Sequence, residues 1–239
     1  MARTVVATAN VLGSLARADA RLAVAAVLAR DPDLVGLQEW SPRRVGLLGE
    51  WASYRWLSAP LGGCAVGVRA DRYAVRRRRL VPLGPPQRAD NPDRWWGLEP
   101  PRLALAVSLV ERATALRVGM VSFHLTPGVQ RRGRYRDDRP ALVDRHRREV
   151  TRLSSLVARL IAHHDRVYAV GDSNFDGLAL PGLVSCWVGR ESHPGTLGPR
   201  RHVDDVLGLG PADSVELVET PSDHRAVVVW VEGGGAEAG

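Results

Sequence analysis

The order of apolar and polar positions breaks the chain into short segments of alternating type. Thr4 to Val11 is rich in β-formers. Ala18 to Arg30 places Leu22, Ala26 and Ala29 on one helical face, and Asp31-Pro32 ends that helix. Leu34-Val35-Gly36-Leu37-Gln38 reads as a short apolar strand, and Ser41-Pro42 as an N-cap followed by proline at the first helical position. Further strands are expected near Tyr54 to Leu57, Cys64 to Arg69 and Tyr73 to Leu83. A loop from Gly84 to Pro101 follows, carrying five prolines and the pair Trp95-Trp96. Leu103 to Val110 and Leu116 to Phe123 flank Glu111-Arg112-Ala113-Thr114 as a predicted hairpin. After an arginine-rich loop, His124 to Arg139, Pro140 opens the strongest helix, with Leu142, Val150, Leu153, Val157, Leu160 and Ile161 as its apolar stripe. Arg166 to Val170 reads as a buried strand. Short strands recur near Val184 to Val188, Val203 to Leu207, Val215 to Val218 and Arg225 to Val231.

There is no internal repeat and no linker long enough to divide the chain. One α/β domain over 1–232 is expected, with helices covering two packed sheets and a disordered tail at 233–239. The composition, 45% apolar and 25% charged in 239 residues, is that of an ordinary globular protein. No apolar run reaches the roughly 18 residues of a spanning helix. Met1-Ala2-Arg3 leads straight into a strand, not a secretory apolar region. Cys64 and Cys186 have no metal-ligand or redox spacing. A reducing, cytoplasmic setting and a monomer are the simplest expectations, and no protein partner is inferable. The net charge is +7, and all 33 basic residues are arginine. Codon bias accounts for the count; guanidinium forks also suit phosphate, so a polyanionic partner fits.

Polar residues recur at strand ends. Asn10 closes the first strand and Glu39 the second. His124 ends Met120-Val121-Ser122-Phe123, and Asp172 and Asn174 end Tyr168-Ala169-Val170-Gly171. Asp204 and Asp205 interrupt a strand, and Asp223 and His224 open the last one. Taken singly, each is more often a turn residue or a solvated charge. Taken together beside apolar strands, they could meet at one rim. Hard oxygen donors of this kind suit Mg²⁺, with Mn²⁺ as a substitute. Phosphodiester cleavage needs a nucleophilic water, charge relief on the non-bridging oxygens and help for the leaving oxygen. Carboxylate, histidine and metal supply these three.

The ordered motifs Thr8-Ala9-Asn10, Leu37-Gln38-Glu39, Ser122-Phe123-His124-Leu125, Gly171-Asp172-Ser173-Asn174, His202-Val203-Asp204 and Ser222-Asp223-His224 resemble those of the endonuclease/exonuclease/phosphatase superfamily. The resemblance runs from Asn10 to about Val231. It implies the DNase I-like fold: a four-layer sandwich of two packed, mainly antiparallel sheets flanked by helices. It also implies a metal-dependent hydrolase of phosphate esters. Glu39 is implied as the main Mg²⁺ ligand, with Asn10 and Asp223 nearby. Asp172 is implied to activate the attacking water and Asn174 to hold the phosphate. His224 is implied to stabilise a non-bridging oxygen, braced by Asp204. His124 is implied as a second phosphate contact or general acid, with Glu99 its candidate carboxylate partner. Many members carry tyrosine where Asp205 stands. If that carboxylate points inward, it binds a second metal or repels substrate; if outward, it is harmless.

Eight arginines lie between Arg131 and Arg148 against Asp137, Asp138 and Asp144. Arg131, Arg132, Arg134 and Arg136 are the candidate substrate contacts, with a solvated charge run as the alternative. Arg76 to Arg79 reads as an exposed edge feature. Trp95 and Trp96 serve either as base-stacking residues or as pins to the core. The expected substrate is DNA or RNA. The alternatives are a phosphatase or phosphodiesterase acting on a small or lipid phosphate, and a catalytically dead binding module.

Overall fold

The structure, a computed structural model, describes residues 3–59, 63–90, 97–190 and 192–232. Pro92, the Trp95-Trp96 pair and the segment 233–239 lie outside the described residues. The first half contains β1 (Thr4–Asn10), α1 (Arg17–Leu28), β2 (Leu34–Gln38), a 3₁₀ segment (Pro42–Glu50), β3 (Tyr54–Ala59), β4 (Cys64–Arg69), β5 (Tyr73–Gly84), β6 (Gln87–Arg88) and β7 (Leu98–Glu99). Next come β8 (Arg102–Glu111), β9 (Arg117–His124), β10 (Gln130–Arg131), β11 (Arg134–Tyr135) and α2 (Pro140–Ile161). The chain ends with β12 (Arg166–Asp172), β13 (Val184–Ser185), β14 (Asp204–Gly208), β15 (Ser214–Val218) and β16 (Ala226–Val231). No helix among the described residues is long and apolar enough to cross a membrane.

Two six-stranded sheets dominate, in the orders β15-β16-β1-β2-β4-β3 and β13-β14-β12-β9-β8-β5. Each is antiparallel except at one central pair: β1 with β2 in the first, β9 with β12 in the second. The sheets face each other through Val6, Leu34, Val66, Val107, Met120, Val170 and Val206. Outside the first sheet, α1 and the 3₁₀ segment bury Ala20, Val24, Leu47 and Leu48. Outside the second, α2 buries Leu153, Leu156, Val157 and Leu160. This is the expected four-layer sandwich, and each layer follows from one apolar face needing cover.

Some local expectations change. The buried face of α1 is Ala20, Ala23, Val24 and Val27, while Leu22 is 57% exposed. The segment is apolar almost all round, so its own periodicity leaves the stripe undecided. The sheet surface then takes the small residues, which let the helix lie close. Ser41 makes no side-chain cap, and the segment it opens is a 3₁₀ helix. The strand expected over Val184 to Val188 pairs only through Val184–Ser185. Asp223 and His224 precede β16 instead of opening it. Arg76 to Arg79 do lie on an edge strand, since β5 ends its sheet.

Two glycines let the sheets close beneath the rim. A Cβ on Gly36 would lie 2.3 Å from Val170 Cγ2. Gly171 has φ +155°, and a Cβ there would lie 2.0 Å from the Phe123 carbonyl oxygen. Gly171→Ala is therefore expected to cost about 3 kcal/mol through backbone displacement, read from the urea midpoint. A loss below about 1 kcal/mol would mean that β9 and β12 separate easily.

Candidate active site

The parallel pairs explain how distant residues meet. Parallel neighbours end at the same edge, so Asn10 beside Gln38 and His124 beside Asp172 place their side chains on one rim. Asp204 joins because β14 pairs antiparallel to β12 with Asp172 opposite Asp204. Below the rim, a buried chain of hydrogen bonds ties the sheets: Thr8 Oγ1 donates to Gln38 Oε1 (3.1 Å), and Gln38 Nε2 donates to Ser122 Oγ (3.1 Å).

The Asp172 carboxylate lies at the centre. Its Oδ1 accepts the Asn174 backbone N–H at 2.7 Å. Its Oδ2 accepts Asn10 Nδ2 at 2.9 Å and Asn174 Nδ2 at 3.2 Å, with His124 Nε2 at 3.5 Å. Asn174 reaches this position with φ +54°, the left-handed region that Asn tolerates better than most residues. Burial and the nearby Asp204 charge push the Asp172 pKa up to about 7, although His224 and the hydrogen bonds pull the other way.

On the far side, His224 Nδ1 bonds to Asp204 Oδ2 at 2.7 Å. Burial works against the imidazolium, but the hydrogen bond and charge of Asp204, then the charges of Asp172 and Asp223, outweigh it. The His224 pKa rises to about 9. At neutral pH the ring is therefore a cation with Nδ1–H committed to Asp204. Nε2–H is left as a donor aimed away from that partner.

Glu39 sits at φ +54°, a strained position for a side-chain-bearing residue. Its Oε2 accepts the Gly13 N–H at 2.7 Å, and its Oε1 lies 3.5 Å from Asn10 Nδ2. The Asn10 Oδ1 atom is buried without a partner. A buried acceptor left unpaired is costly, and here it belongs to a residue whose amide nitrogen lies between the Glu39 and Asp172 carboxylates. Glu39 and Asn10 thus fit a hard divalent cation. Asp172, Asp204 and His224 also offer ligand atoms within 4.8 Å of one another. His224 Nδ1 is spent on Asp204 there, and an imidazolium does not bind metal, so this trio reads as a proton network. Asp223 is exposed, and its carboxylate accepts the Ser222 hydroxyl at 3.3 Å; no hydrogen bond among the described residues ties it to Glu39 or Asn10.

Asp205 points away from the rim. Neighbouring strand residues face opposite sides, and Asp205 Oδ1 accepts Cys186 N and Cys186 Sγ, both at 3.2 Å. Its carboxylate is thus buried and engaged by Cys186, and no hydrogen bond among the described residues ties it to Asp172 or His224. Glu99 is fully buried, and the carboxylate 3.5 Å from His124 is Asp172.

The arginine-rich loop folds as the β10–β11 hairpin, turning at Arg132 (φ +54°) and Gly133 (φ +72°). Arg131, Arg132 and Arg134 are exposed, whereas Arg136 forms a two-pronged ion pair with Asp138. The hairpin is tied to the loop after β12, because Gln130 Nε2 donates to Asn174 O at 3.2 Å and Gln130 Oε1 accepts Asp176 N at 3.3 Å.

Three supporting residues were not legible in the sequence. Buried Arg44 donates to the carbonyls of Val11, Leu12, Gly13 and Leu15, which fixes the loop that presents Gly13 to Glu39. Thr196 Oγ1 accepts the N–H groups of Val203 and Asp204. His146 Nε2 donates to Ser173 O at 2.8 Å, between Asp172 and Asn174, while Tyr135 O–H donates to its Nδ1 at 3.1 Å. Burial holds the His146 pKa below its ordinary value, consistent with this neutral tautomer.

No family model and no curated protein sequence matches the chain. Solved structures do. An endonuclease/exonuclease/phosphatase protein from Bacteroides vulgatus aligns with TM-score 0.71 at 15% identity, covering 97% of this chain and 99% of that one. Danio rerio TDP2, complexed with a single-strand DNA product, aligns with TM-score 0.70 at 17% identity over 96% and 99%. A mannosyl-6-phosphatase from Bacteroides thetaiotaomicron aligns with TM-score 0.70 at 16% identity over 95% and 99%. These alignments span nearly the whole chain, and the chain has the DNase I-like fold of those structures.

Proposed function

We propose that this protein is a divalent-cation-dependent phosphodiesterase acting on nucleic acid. The observation that carries the reading is the pairing at one rim of a carboxylate whose pKa is raised to about 7, Asp172, with an imidazolium braced by Asp204, His224. Both values are raised: the Asp172 carboxylate then exchanges its proton near neutrality, as a general base needs, and the His224 ring stays cationic, as an electrostatic stabiliser needs.

In this mechanism Asp172 accepts a proton from water as the water oxygen attacks phosphorus. Asn10 and Asn174 hold that carboxylate in place through the 2.9 Å and 3.2 Å bonds. His224 donates Nε2–H to a non-bridging oxygen as its charge grows, while Asp204 keeps the ring oriented. His124, beside Asp172, supplies a second contact to the phosphoryl group or the proton for the leaving oxygen. Glu39 and Asn10 would hold Mg²⁺, which supplies charge relief at the phosphoryl oxygens when bound.

The fold does not choose the substrate, since a TDP2 bound to a single-strand DNA product and a mannosyl-6-phosphatase resemble this chain equally. Arg131, Arg132 and Arg134 on a hairpin tied to Asn174 favour a polyanion. The test is turnover of single-stranded DNA, RNA, duplex DNA, a sugar phosphate and a lipid phosphodiester with Mg²⁺, Mn²⁺ or EDTA. Nucleic-acid cleavage that EDTA abolishes is expected. Glu39→Gln should shift the Mg²⁺ concentration for half-maximal rate upward by at least about tenfold. Cleavage of the sugar or lipid substrate alone would overturn the nucleic-acid reading.

A further inference from the structure

Away from the rim, β5 and the C-terminal half of α2 enclose a groove of about 270 Å³. Arg77 and Arg79 of β5 stand on one side, Arg159 of α2 and His163 just beyond its end on the other. Arg77 and Arg79 are two positions apart, so they share a face. They lie opposite Ser108 and Ala106 in register, and Ala106 packs in the cluster under α2. His164 closes the groove with both nitrogens engaged, Nδ1 on Leu160 O and Nε2 on the Ser108 hydroxyl.

Many arginines of this chain are answered by carboxylates: Arg21 by Glu50, Arg30 by Glu216, Arg72 by Asp33, Arg117 by Asp165 and Arg225 by Glu219. Among the described residues, the side chains of Arg77, Arg79, Arg159 and His163 make neither an ion pair nor a hydrogen bond. Codon bias explains the number of arginines but not their separation into paired and unpaired groups. Edge protection explains charges on β5, but it does not place further cations across the groove on α2. Like charges crowded together repel, and a polyanion would relieve that repulsion.

The basic surface continues toward the rim. Exposed Arg152 donates Nη1–H to Leu83 O at 2.8 Å, and exposed Arg148 donates Nη2–H to Gln87 Oε1 at 3.4 Å. Arg159, Arg152 and Arg148 thus climb one side of α2 over about 16 Å of helix. The first turns of that helix adjoin the loop after β12 through the His146 bond to Ser173.

We propose that the β5–α2 seam is an exosite for the phosphodiester backbone of a nucleic-acid strand, at a distance from the bond being cleaved. Only the position of the scissile bond rests on the phosphodiesterase reading.

The test compares the parent protein with the triple variant Arg77→Ala, Arg79→Ala, Arg159→Ala. Anisotropy of labelled long single-stranded DNA, long RNA and a tetranucleotide is measured over a salt series, with Asp172→Asn present in both proteins to prevent turnover. The slope of log affinity against log salt for the long strand should shrink by about 2, from three lost contacts at about 0.7 each. Long-strand affinity should fall on the order of tenfold at low salt, and tetranucleotide affinity should stay unchanged. With Asp172 intact, KM for long strands should rise while kcat, and turnover of bis-p-nitrophenyl phosphate, hold. An unchanged slope, or an equal loss for the tetranucleotide, would overturn the exosite. Loss of the slope without cleavage of any nucleic acid would sink the phosphodiesterase reading and leave the exosite standing.

Discussion

Asp172→Asn is expected to lower kcat by about 10³-fold, within the range for loss of a general base. The side chain is nearly isosteric and 1% exposed. The amide removes a buried charge but turns one acceptor into a donor facing Asn10 Nδ2 and Asn174 Nδ2, so the unfolding free energy should fall by only about 1 kcal/mol. A protein that loses activity and keeps its fold is the signature sought. The parent's rate should rise with pH as Asp172 loses its proton near 7, then decline as His224 loses its proton near 9. The acidic limb should be missing in the variant's residual rate. A bound divalent cation favours the ionised carboxylate and moves that limb to lower pH. Activity within tenfold of the parent would mean that water is activated elsewhere.

A large, pH-dependent stability effect is expected at Asp205, which follows Asp204 in β14. Burial, partly offset by its hydrogen bonds from Ser185 and Cys186, pushes its pKa up to about 6 from an ordinary 3.8. The native state therefore holds this proton more tightly than the unfolded chain does. Stability from Asp205 is fully present below about pH 4 and is lost as pH rises through 6. The loss amounts to about 3 kcal/mol above pH 7, from a two-unit shift at 1.36 kcal/mol per unit. Asp205→Asn removes the titration and can still accept the Cys186 N–H. Its unfolding free energy in urea should exceed the parent's by about 3 kcal/mol at pH 8, by about half that at pH 5, and by nothing near pH 4. A variant less stable than the parent at pH 8 would show that the hydrogen bonds favour the ionised form.

Most of the rim was legible because its polar residues interrupt apolar strands. Asn10, Glu39, His124, Asp172, Asn174, Asp204 and His224 each break a run of β-formers, and a sandwich with parallel central pairs gathers such ends. What stayed hidden depends on contacts between distant segments. Arg44 looks like any surface arginine beside Arg43, until the 3₁₀ segment carries it under the loop after β1. His146 falls within a run of helix charges, and only docking of α2 brings it to Ser173. The inward direction of Asp205 follows from strand alternation only once Asp204 is known to face the rim. The stripe of α1 was misread because alanine and leucine differ little in periodicity and greatly in the distance they impose.

The span of the rim has a kinetic consequence. The Ser222 hydroxyl bonds to the carbonyl of Asn10, 212 positions away, and β1 pairs with β16. Asp172 holds its amide from Asn10 across 162 positions. Pairings of such separation close late, because loop entropy must be overcome before they return any energy. Regained turnover would therefore time the last closure of the molecule, after α2 and the β8–β9 hairpin have already formed.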